Sequence, residues 1–168
     1  LSDDESRKNF VDVLNFKVSG KTEYLFKCEK KKDEIYSGFL HVGSDEIFMD
    51  LGAYDGDTVR EFLAASNNKY RKIYAVEADE KNYKKLTANT EKVDNIEVLN
   101  LAVWDKKETL LFEKKKGRNS KLSASGKIEV SADSVDNILG GREITILKMD
   151  IEGSEEKALL GAEKTIRR

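Results

Sequence analysis

The chain has 168 residues, enough for a domain with its own hydrophobic core, and its formal net charge of −2 provides no general attraction to nucleic acid or to an anionic membrane. No apolar run reaches the length of a membrane span, and no basic and apolar leader indicates a signal peptide. The single cysteine, Cys28, excludes an internal disulfide and fits a reducing compartment, so we expect a cytoplasmic protein.

The first 44 residues predict a helical arm. The acidic cluster SDDES supplies N-cap residues ahead of apolar residues at mixed helical spacing, which predicts a helix over 1–14. After Gly20, residues 21–32 fit either a short helix or an extended arm. His41 is the only histidine; imidazole suits a general base near neutral pH, but we favour a surface or packing role.

The segment EIFMDLGAYDGDT, residues 46–58, has the pattern of a strand, a glycine loop and a helix. A short apolar run leads to Asp50, where we expect the strand to end. Gly52 and Gly56 then bracket a tight loop, and apolar residues at helical spacing follow up to Ala65. Such a loop brings backbone N–H groups and a helix N-terminus close to a ligand, which favours a nucleotide-like molecule.

Two nucleotide-binding patterns fail at this loop. A P-loop needs Lys followed by Ser or Thr after its second glycine, where this chain has Asp57 and Thr58; the dinucleotide fingerprint needs glycine at Tyr54 and Asp57. Asp50, Asp55 and Asp57 would repel phosphate and favour a ligand with a positive end. S-adenosylmethionine fits this description, whereas ATP and NAD do not. The alternative is an ordinary strand-to-helix turn with surface acids.

The middle of the chain continues the alternation of strands and helices. Residues 72–76 predict a second strand, and Glu77 at its end is the expected ligand of the ribose hydroxyls. Asp79 is the expected N-cap of a helix over 80–91. Residues 96–99 predict a third strand that continues through 100–103.

The remaining elements are two strand-like pieces, a fourth core strand and a helix. The strand-like pieces are 108–116 and 128–132, and for the basic residues between them we favour a solvated loop over a site for an acidic substrate. Residues 144–149 have the composition of a central parallel strand. Asp150 follows it, so we expect Asp50 and Asp150 to meet at one cleft. The last predicted helix is continuous over 154–166, with Ser154 as N-cap.

Four blocks of the chain resemble the FkbM-type family of S-adenosylmethionine-dependent methyltransferases. They are MDLGAYDGDT, YAVEADEKNYKKL, NIEVLNLAVWDKKETLLF and ILKMDIEGSEEKALLGAEKTI. The resemblance implies a Rossmann-like class I methyltransferase fold of the α/β class, with a doubly wound, mostly parallel sheet. It places the S-adenosylmethionine-binding core at 45–168, with the C-terminal strands of that core missing from this chain. Tyr54 departs from the general methyltransferase loop, which has a glycine there.

The resemblance also implies site residues. The implied cofactor-binding residues are Asp50, Gly52, Ala53, Tyr54, Asp55, Gly56, Thr58, Glu77, Ala78 and Ala102, with the adenine near Ala102. It implies a short helix over 133–139, and it makes Tyr36 and Ser120 candidates for contact with the substrate.

Asp150 and Glu152 are the predicted catalytic residues, as base or as residues that orient an acceptor hydroxyl. The alternative is that the two carboxylates bind a divalent cation, but two carboxylates underfill such a site, and we predict no metal. The resemblance implies O-methylation of a sugar or small-molecule hydroxyl. The alternative is a noncatalytic binding or interaction module of a larger protein. An adjoining domain or a second copy of the chain is a further expected partner.

Overall fold

A computed structural model describes residues 3–31, 34–113, 121–122 and 128–168. The chain divides into two compact units, residues 1–41 and residues 42–168. The predicted substrate residue Ser120 and most of the basic loop between the two strand-like pieces lie outside the described residues. In the described part of the chain, no helix is both long enough and apolar enough to cross a lipid bilayer.

The N-terminal unit is helical. It contains α1 (Asp4–Ser19), α2 (Glu23–Cys28) and a π-helical turn (Glu34–Phe39). The Asp3 carboxylate caps α1 by accepting the Ser6 N–H at 2.7 Å. The predicted first helix is confirmed but is longer than expected, because it ends at Gly20, whose φ of 70° suits a C-cap. Of the two alternatives for the next segment, α2 confirms the helix.

The second unit alternates strands and helices. Its strands are β1 (Ile47–Leu51), β2 (Lys72–Val76), β3 (Ile96–Leu99), β4 (Ala102–Val103), β5 (Glu108–Glu113), β6 (Lys121–Leu122), β7 (Ile128–Asp133) and β8 (Ile146–Met149). Its helices are α3 (Asp57–Ala65), α4 (Glu80–Asn89), α5 (Val135–Leu139), α6 (Glu155–Leu160) and α7 (Glu163–Ile166).

The main sheet is parallel, with the order β3-β2-β1-β8. This order, with helices between the strands, confirms the predicted α/β class. Every residue of β1 is buried, as expected for a strand with a neighbour on each side. Among the described residues, β8 is an edge strand of this sheet. Within the described residues β8 pairs with β1 alone, and its side chains are half-buried.

Side chains alternate between the two faces of this sheet and form two apolar layers. Phe48 belongs to one layer together with Val59 and Phe62 of α3 and Leu86 of α4. The other layer contains Ile47, Met49, Leu51, Val135, Leu139, Ala158 and Ala162. The Phe48 and Phe62 rings stack with their centroids 4.5 Å apart, which fixes α3 against the start of β1.

A second, mixed sheet has the order β4-β7-β5-β6. The sequence predicts that the third strand continues through Ala102, and this is wrong. The chain leaves the main sheet at Asn100, whose side-chain amide donates to the Glu77 carbonyl at 2.8 Å and to the Ala78 carbonyl at 3.2 Å. Ala102 then pairs with Ala132 of β7. The two strand-like pieces are confirmed as β5 and β7.

The predicted continuous C-terminal helix is also wrong, because the chain forms α6 and α7 with a break at Gly161. A Cβ at Gly161 would lie 2.1 Å from the Trp104 carbonyl oxygen, so only glycine allows this close packing. The Asp136 carboxylate then accepts the N–H groups of Lys164 and Thr165 in α7. Ser154 occupies the N-cap position of α6, but its side chain makes no capping hydrogen bond.

Candidate functional site

Residues 52–56, called the β1 loop below, form a tight turn next to the carboxyl ends of β1, β2 and β8. The N–H groups of Gly52 and Ala53 both donate to the Val76 carbonyl, at 2.9 and 3.0 Å. Gly52 has a φ of 82°, and a Cβ there would lie 2.0 Å from the Asp150 carbonyl oxygen. Glycine is therefore required both by conformation and by the close approach of the chain after β8.

Tyr54 adopts the left-handed conformation, with a φ of 50°. A side chain in this region costs about 1–2 kcal/mol, which explains why the general methyltransferase loop has glycine at this position. Two contacts accompany the tyrosine here. Its N–H donates to Glu77 Oε2 at 2.9 Å, and Lys85 Nζ lies 5.5 Å from the centre of its ring.

Glu77, the predicted ribose ligand, joins the β1 loop to the end of β2. Its Oε2 accepts the Tyr54 N–H and its Oε1 accepts the Asp79 N–H, both at 2.9 Å. Burial raises the pKa of Glu77, and the negative charges of Asp79 and Asp50 act in the same direction, against the two N–H groups. Each carboxylate oxygen keeps a second lone pair, so Glu77 can still accept hydroxyl groups of a ligand.

Asp50 is fully buried at the end of the neighbouring strand β1. Lys148 Nζ lies 3.0 Å from its Oδ1, yet neither oxygen has a donor in hydrogen-bonding geometry among the described residues. This contact is an ion pair at a distance of 3.0 Å. Burial raises the pKa of Asp50 to about 6, although the positive charge of Lys148 lowers it.

Two further acids, Asp55 in the β1 loop and Asp57 at the start of α3, are held by contacts at the helices. Asp55 forms an ion pair with Arg60 of α3 at 3.3 Å, and its carbonyl accepts the side-chain amide of Asn89 at 2.8 Å. The Asp57 carboxylate accepts the Thr58 N–H at 2.9 Å in the first turn of α3. Gly56 is the N-cap of that helix and has a φ of 87°.

Asp150 and Glu152 lie in the chain between β8 and α6, residues 150–154, called the β8 loop below. Both side chains are exposed. The Asp150 N–H donates to the Leu51 carbonyl at 3.0 Å, so this loop lies beside the start of the β1 loop, as predicted for strand ends of a parallel sheet. Glu152 has a φ of 56° and Gly153 a φ of 95°, so two successive residues are left-handed.

The carboxylate of Glu155 closes the β8 loop. Its Oε1 accepts the Ile151 N–H at 3.1 Å. Burial alone would raise the pKa of Glu155, but the N–H groups of Glu155, Gly153 and Ile151 outweigh it and lower the pKa. The sequence patterns described above do not predict this role of Glu155. An acid in the first turn of α6, two residues after a glycine, is the signal that would have indicated it.

The role of Lys148 is likewise not predicted by the sequence patterns. Lys148 stands in register with Asp50, and its Nζ donates to the Gly52 carbonyl at 3.0 Å. A lysine inside an otherwise apolar strand is the available signal, since a buried lysine needs an anionic partner. The partner itself follows only from the pairing of β1 with β8.

The remaining predicted residues lie in several different elements. Ala78 is half-buried directly after Glu77, and Ala102 is buried in β4. Tyr36 lies in the π-helical turn of the N-terminal unit, so its contact with a substrate stays a prediction. His41 is exposed, and its Nδ1 lies 3.0 Å from the Ser37 carbonyl oxygen.

A cavity of about 900 Å³ lies at the opposite end of the main sheet. Its lining includes Ile47, Lys72 and Ile144, at or just before the first residues of β1, β2 and β8. Ligands of open α/β sheets bind at the carboxyl ends of the strands, so the cavity is separate from the predicted site. Among the described residues, no three His, Cys, Asp or Glu side chains form a metal-binding group.

The carboxylates at the strand ends fit the predicted cofactor. Asp50 is a buried anion with unfilled hydrogen-bonding capacity, which suits a cationic group nearby. Glu77 offers lone pairs to ribose hydroxyls. At Gly52 the Asp150 carbonyl fills the space that a Cβ would take, which brings the β8 loop close to the start of the β1 loop. These two carboxylates suit a nucleoside with a positive charge better than they suit a phosphate.

Comparisons with known proteins agree with this geometry. The family model described as the methyltransferase FkbM domain matches residues 50–168. The crystal structure of methyltransferase FkbM from Methylobacillus flagellatus KT matches with a TM-score of 0.79 at 25% sequence identity. The match covers 99% of this chain and 42% of that protein, so the chain spans less than half of its length. It confirms the Rossmann-like methyltransferase fold.

Other solved methyltransferase structures match more weakly. NSun6 from Pyrococcus horikoshii, with SFG, has a TM-score of 0.35 at 17% identity, covering 44% of this chain and 19% of that one. An rRNA methylase from Streptococcus thermophilus has a TM-score of 0.35 at 20% identity, covering 44% and 41%. These similarities are too low to carry an argument. The search among curated proteins gave no match.

Proposed function

Because the chain belongs to the FkbM methyltransferase family, we propose that it uses S-adenosylmethionine to methylate a hydroxyl group of a sugar or another small molecule. The observation that carries the proposal is the pair of buried carboxylates, Asp50 and Glu77, at the ends of adjacent parallel strands beside a glycine loop. The acceptor class comes from the family resemblance.

The residues around the β1 loop bind the cofactor in this proposal. Glu77 accepts hydrogen bonds from the ribose hydroxyls, and backbone groups near Ala78 and Ala102 contact the adenine. The negative charge of Asp50 favours the cationic methionine end. When bound, S-adenosylmethionine supplies an electrophilic methyl group attached to a sulfonium sulfur.

The exposed carboxylates of the β8 loop act on the acceptor. Asp150 and Glu152 would orient the acceptor hydroxyl, and an oxygen of one of them would accept the hydroxyl proton. Asp150 is joined through its own N–H to Leu51, so the acceptor side adjoins the cofactor side. Tyr36 and Ser120 are proposed to contact the acceptor.

Isothermal titration calorimetry tests cofactor binding. We expect micromolar affinity for S-adenosylmethionine, and a loss of about tenfold or more in Glu77→Ala, since about 1.4 kcal/mol corresponds to tenfold. Asp50→Asn removes the buried negative charge and should also weaken binding. Glu91→Gln is the matched control, because Glu91 is an exposed acid beyond the end of α4. Failure of the folded protein to bind would favour the noncatalytic binding module.

A mass-spectrometric screen of sugar and small-molecule hydroxyl acceptors tests the reaction. With an acceptor in hand, loss of the proton-accepting carboxylate should lower kcat by roughly 10²–10⁴-fold. Asp150→Asn and Glu152→Gln identify which of the two residues accepts the proton. If both variants keep full kcat, neither residue is the base.

A further inference from the structure

Lys148 extends from an apolar strand toward two groups of the cofactor site. Its Nζ lies 3.0 Å from Asp50 Oδ1 and 3.0 Å from the Gly52 carbonyl oxygen. The Lys148 ammonium group therefore contacts both Gly52, the first residue of the β1 loop, and the buried Asp50 two residues before it. Its side chain is 27% exposed and that of Asp50 is 0% exposed, so water screens this pair only weakly.

The strand register makes this contact. Asp50 and Lys148 are partners in the parallel pairing of β1 with β8. Phe48 and Ile146, two residues earlier in each strand, pack in the same apolar layer. Asp50 and Lys148 thus lie on the face that carries this layer, where a charge without a partner would be costly.

Lys148 is the cation that compensates Asp50. The charged groups acting on Asp50 are Lys148 from β8, Asp57 from α3 and Asp150 from the β8 loop, and the Glu77 carboxylate after β2 is coupled to it as well. Three of these four are acids. Burial and the neighbouring acids favour protonation of Asp50, and Lys148 alone among the four opposes it.

We propose that Lys148 is a positioning residue of the cofactor site, which fixes the β1 loop through the Gly52 carbonyl and keeps Asp50 ionised. The inference rests on the proposed binding of S-adenosylmethionine at this loop. Lys148 acts through Asp50 and Gly52 and needs no contact with the ligand.

Simple charge repulsion predicts the opposite effect on binding. A lysine near a cationic ligand disfavours it, so removal of Lys148 should tighten binding if its charge were the whole effect. If Lys148 acts by positioning, its removal lets Asp50 take up a proton, and the site loses both the anion and the fixed loop. Binding should then weaken, most strongly below the new titration midpoint of Asp50.

The test compares wild type with Lys148→Met, Lys148→Gln and Lys148→Arg. Lys84→Met is the control, because Lys84 is an exposed lysine of α4 whose removal changes the net charge equally. The first readout is NMR titration of the Asp50 carboxyl carbon in the protein without ligand. The second is the calorimetric Kd for S-adenosylmethionine between about pH 5.5 and 8.5, a range that spans the titration of a raised carboxyl group.

We expect the Asp50 midpoint to rise by at least about one pH unit in Lys148→Met and Lys148→Gln, and the Kd at pH 7 to increase about tenfold or more. Lys148→Arg should restore the Asp50 midpoint to near its wild-type value and the Kd to within about threefold, since a guanidinium can contact both Asp50 Oδ1 and the Gly52 carbonyl oxygen. Lys148→Gln keeps a donor for Gly52 and provides the answer if Lys148→Met does not fold.

Two failures are distinguishable. An unchanged Asp50 midpoint in the uncharged variants, or a Kd that stays equal or becomes lower, overturns the role of Lys148. Absence of S-adenosylmethionine binding by the wild type overturns the proposed function, and the role of Lys148 in that site with it. The titration is measured without ligand, so it shows separately whether Lys148 keeps Asp50 ionised.

Discussion

The β1 loop and the β8 loop lie side by side at the ends of neighbouring strands, yet they are built differently. The β1 loop is fixed from several directions, by two N–H bonds to Val76, by Glu77 and by Lys148. The β8 loop exposes Asp150 and Glu152, and the carboxylate of Glu155 is the side chain that closes it. The loop proposed to bind the cofactor is thus preformed, and the adjoining loop proposed to bind the acceptor has fewer internal restraints.

The largest expected difference between the two loops concerns their glycines. Gly52→Ala places a Cβ 2.0 Å from the Asp150 carbonyl oxygen, which forces backbone to move, and we expect a loss of at least about 3 kcal/mol in the free energy of unfolding. Gly153→Ala is the matched control, since Gly153 is also left-handed but no atom lies within 4 Å of its Cβ position. It should cost only about 1 kcal/mol. Equal losses in urea unfolding would contradict the comparison.

Asp50, the buried acid that precedes the β1 loop, should produce a pH dependence of the stability. The pKa of Asp50 rises from 3.8 to about 6 on folding, so the native chain holds this proton more tightly than the unfolded chain. The contribution of Asp50 to stability is therefore present below about pH 4 and is lost as the pH rises to about 6.

Asp50→Asn isolates this contribution. Relative to wild type, the free energy of unfolding of the variant should improve by about 2 kcal/mol between pH 4 and pH 7, at about 1.4 kcal/mol for each unit of pKa shift, because the unfolded carboxyl is already about half ionised at pH 4. Urea unfolding at a series of pH values measures it. A pH-independent difference between Asp50→Asn and wild type would refute the buried-acid assignment.

Removing the side chain that closes the β8 loop should have a smaller effect. Glu155→Ala should cost about 1 kcal/mol, as for a lost helix cap, and should speed amide hydrogen exchange at Ile151 and Gly153. The pKa of Glu155 is lowered on folding, so its stabilisation is present above its ordinary value of 4.5 and is lost as the pH falls through the folded value. Glu156→Ala, at an exposed neighbour, should leave this exchange unchanged.

The smallest effect concerns the left-handed residues that are not glycine. Glu152→Gly removes backbone strain at an exposed side chain and should stabilise the protein by up to about 1 kcal/mol, because the greater freedom of the unfolded chain offsets part of the gain. Tyr54→Gly should gain less, because it also loses the contact of the ring with Lys85. Thermal unfolding of both variants measures the difference. A larger gain for Tyr54→Gly would show that the ring contributes nothing.

Much of the site could be predicted from local patterns. The apolar run before Asp50, the spacing of Gly52 and Gly56 and the acid after the second strand each reflect one element and its end. They correctly predict the strand, loop and helix that the structure contains. Parallel strands share a carboxyl edge, so even the proximity of Asp50 to Asp150 follows from the order of elements.

Only the tertiary structure decided the pairing of Lys148 with Asp50, the separate second sheet and the break at Gly161. Each depends on groups distant in the chain. The ion pair needs a lysine 98 residues after Asp50, and the second sheet begins after Asn100, whose side-chain amide donates to the Glu77 carbonyl just after β2. The break at Gly161 reflects the Trp104 carbonyl, which leaves no room for a Cβ. Sequence periodicity reports which face of an element is apolar, because that follows from neighbours along the chain. It does not report which distant partner fills the space or neutralises the charge, because packing and burial arise only once the elements meet.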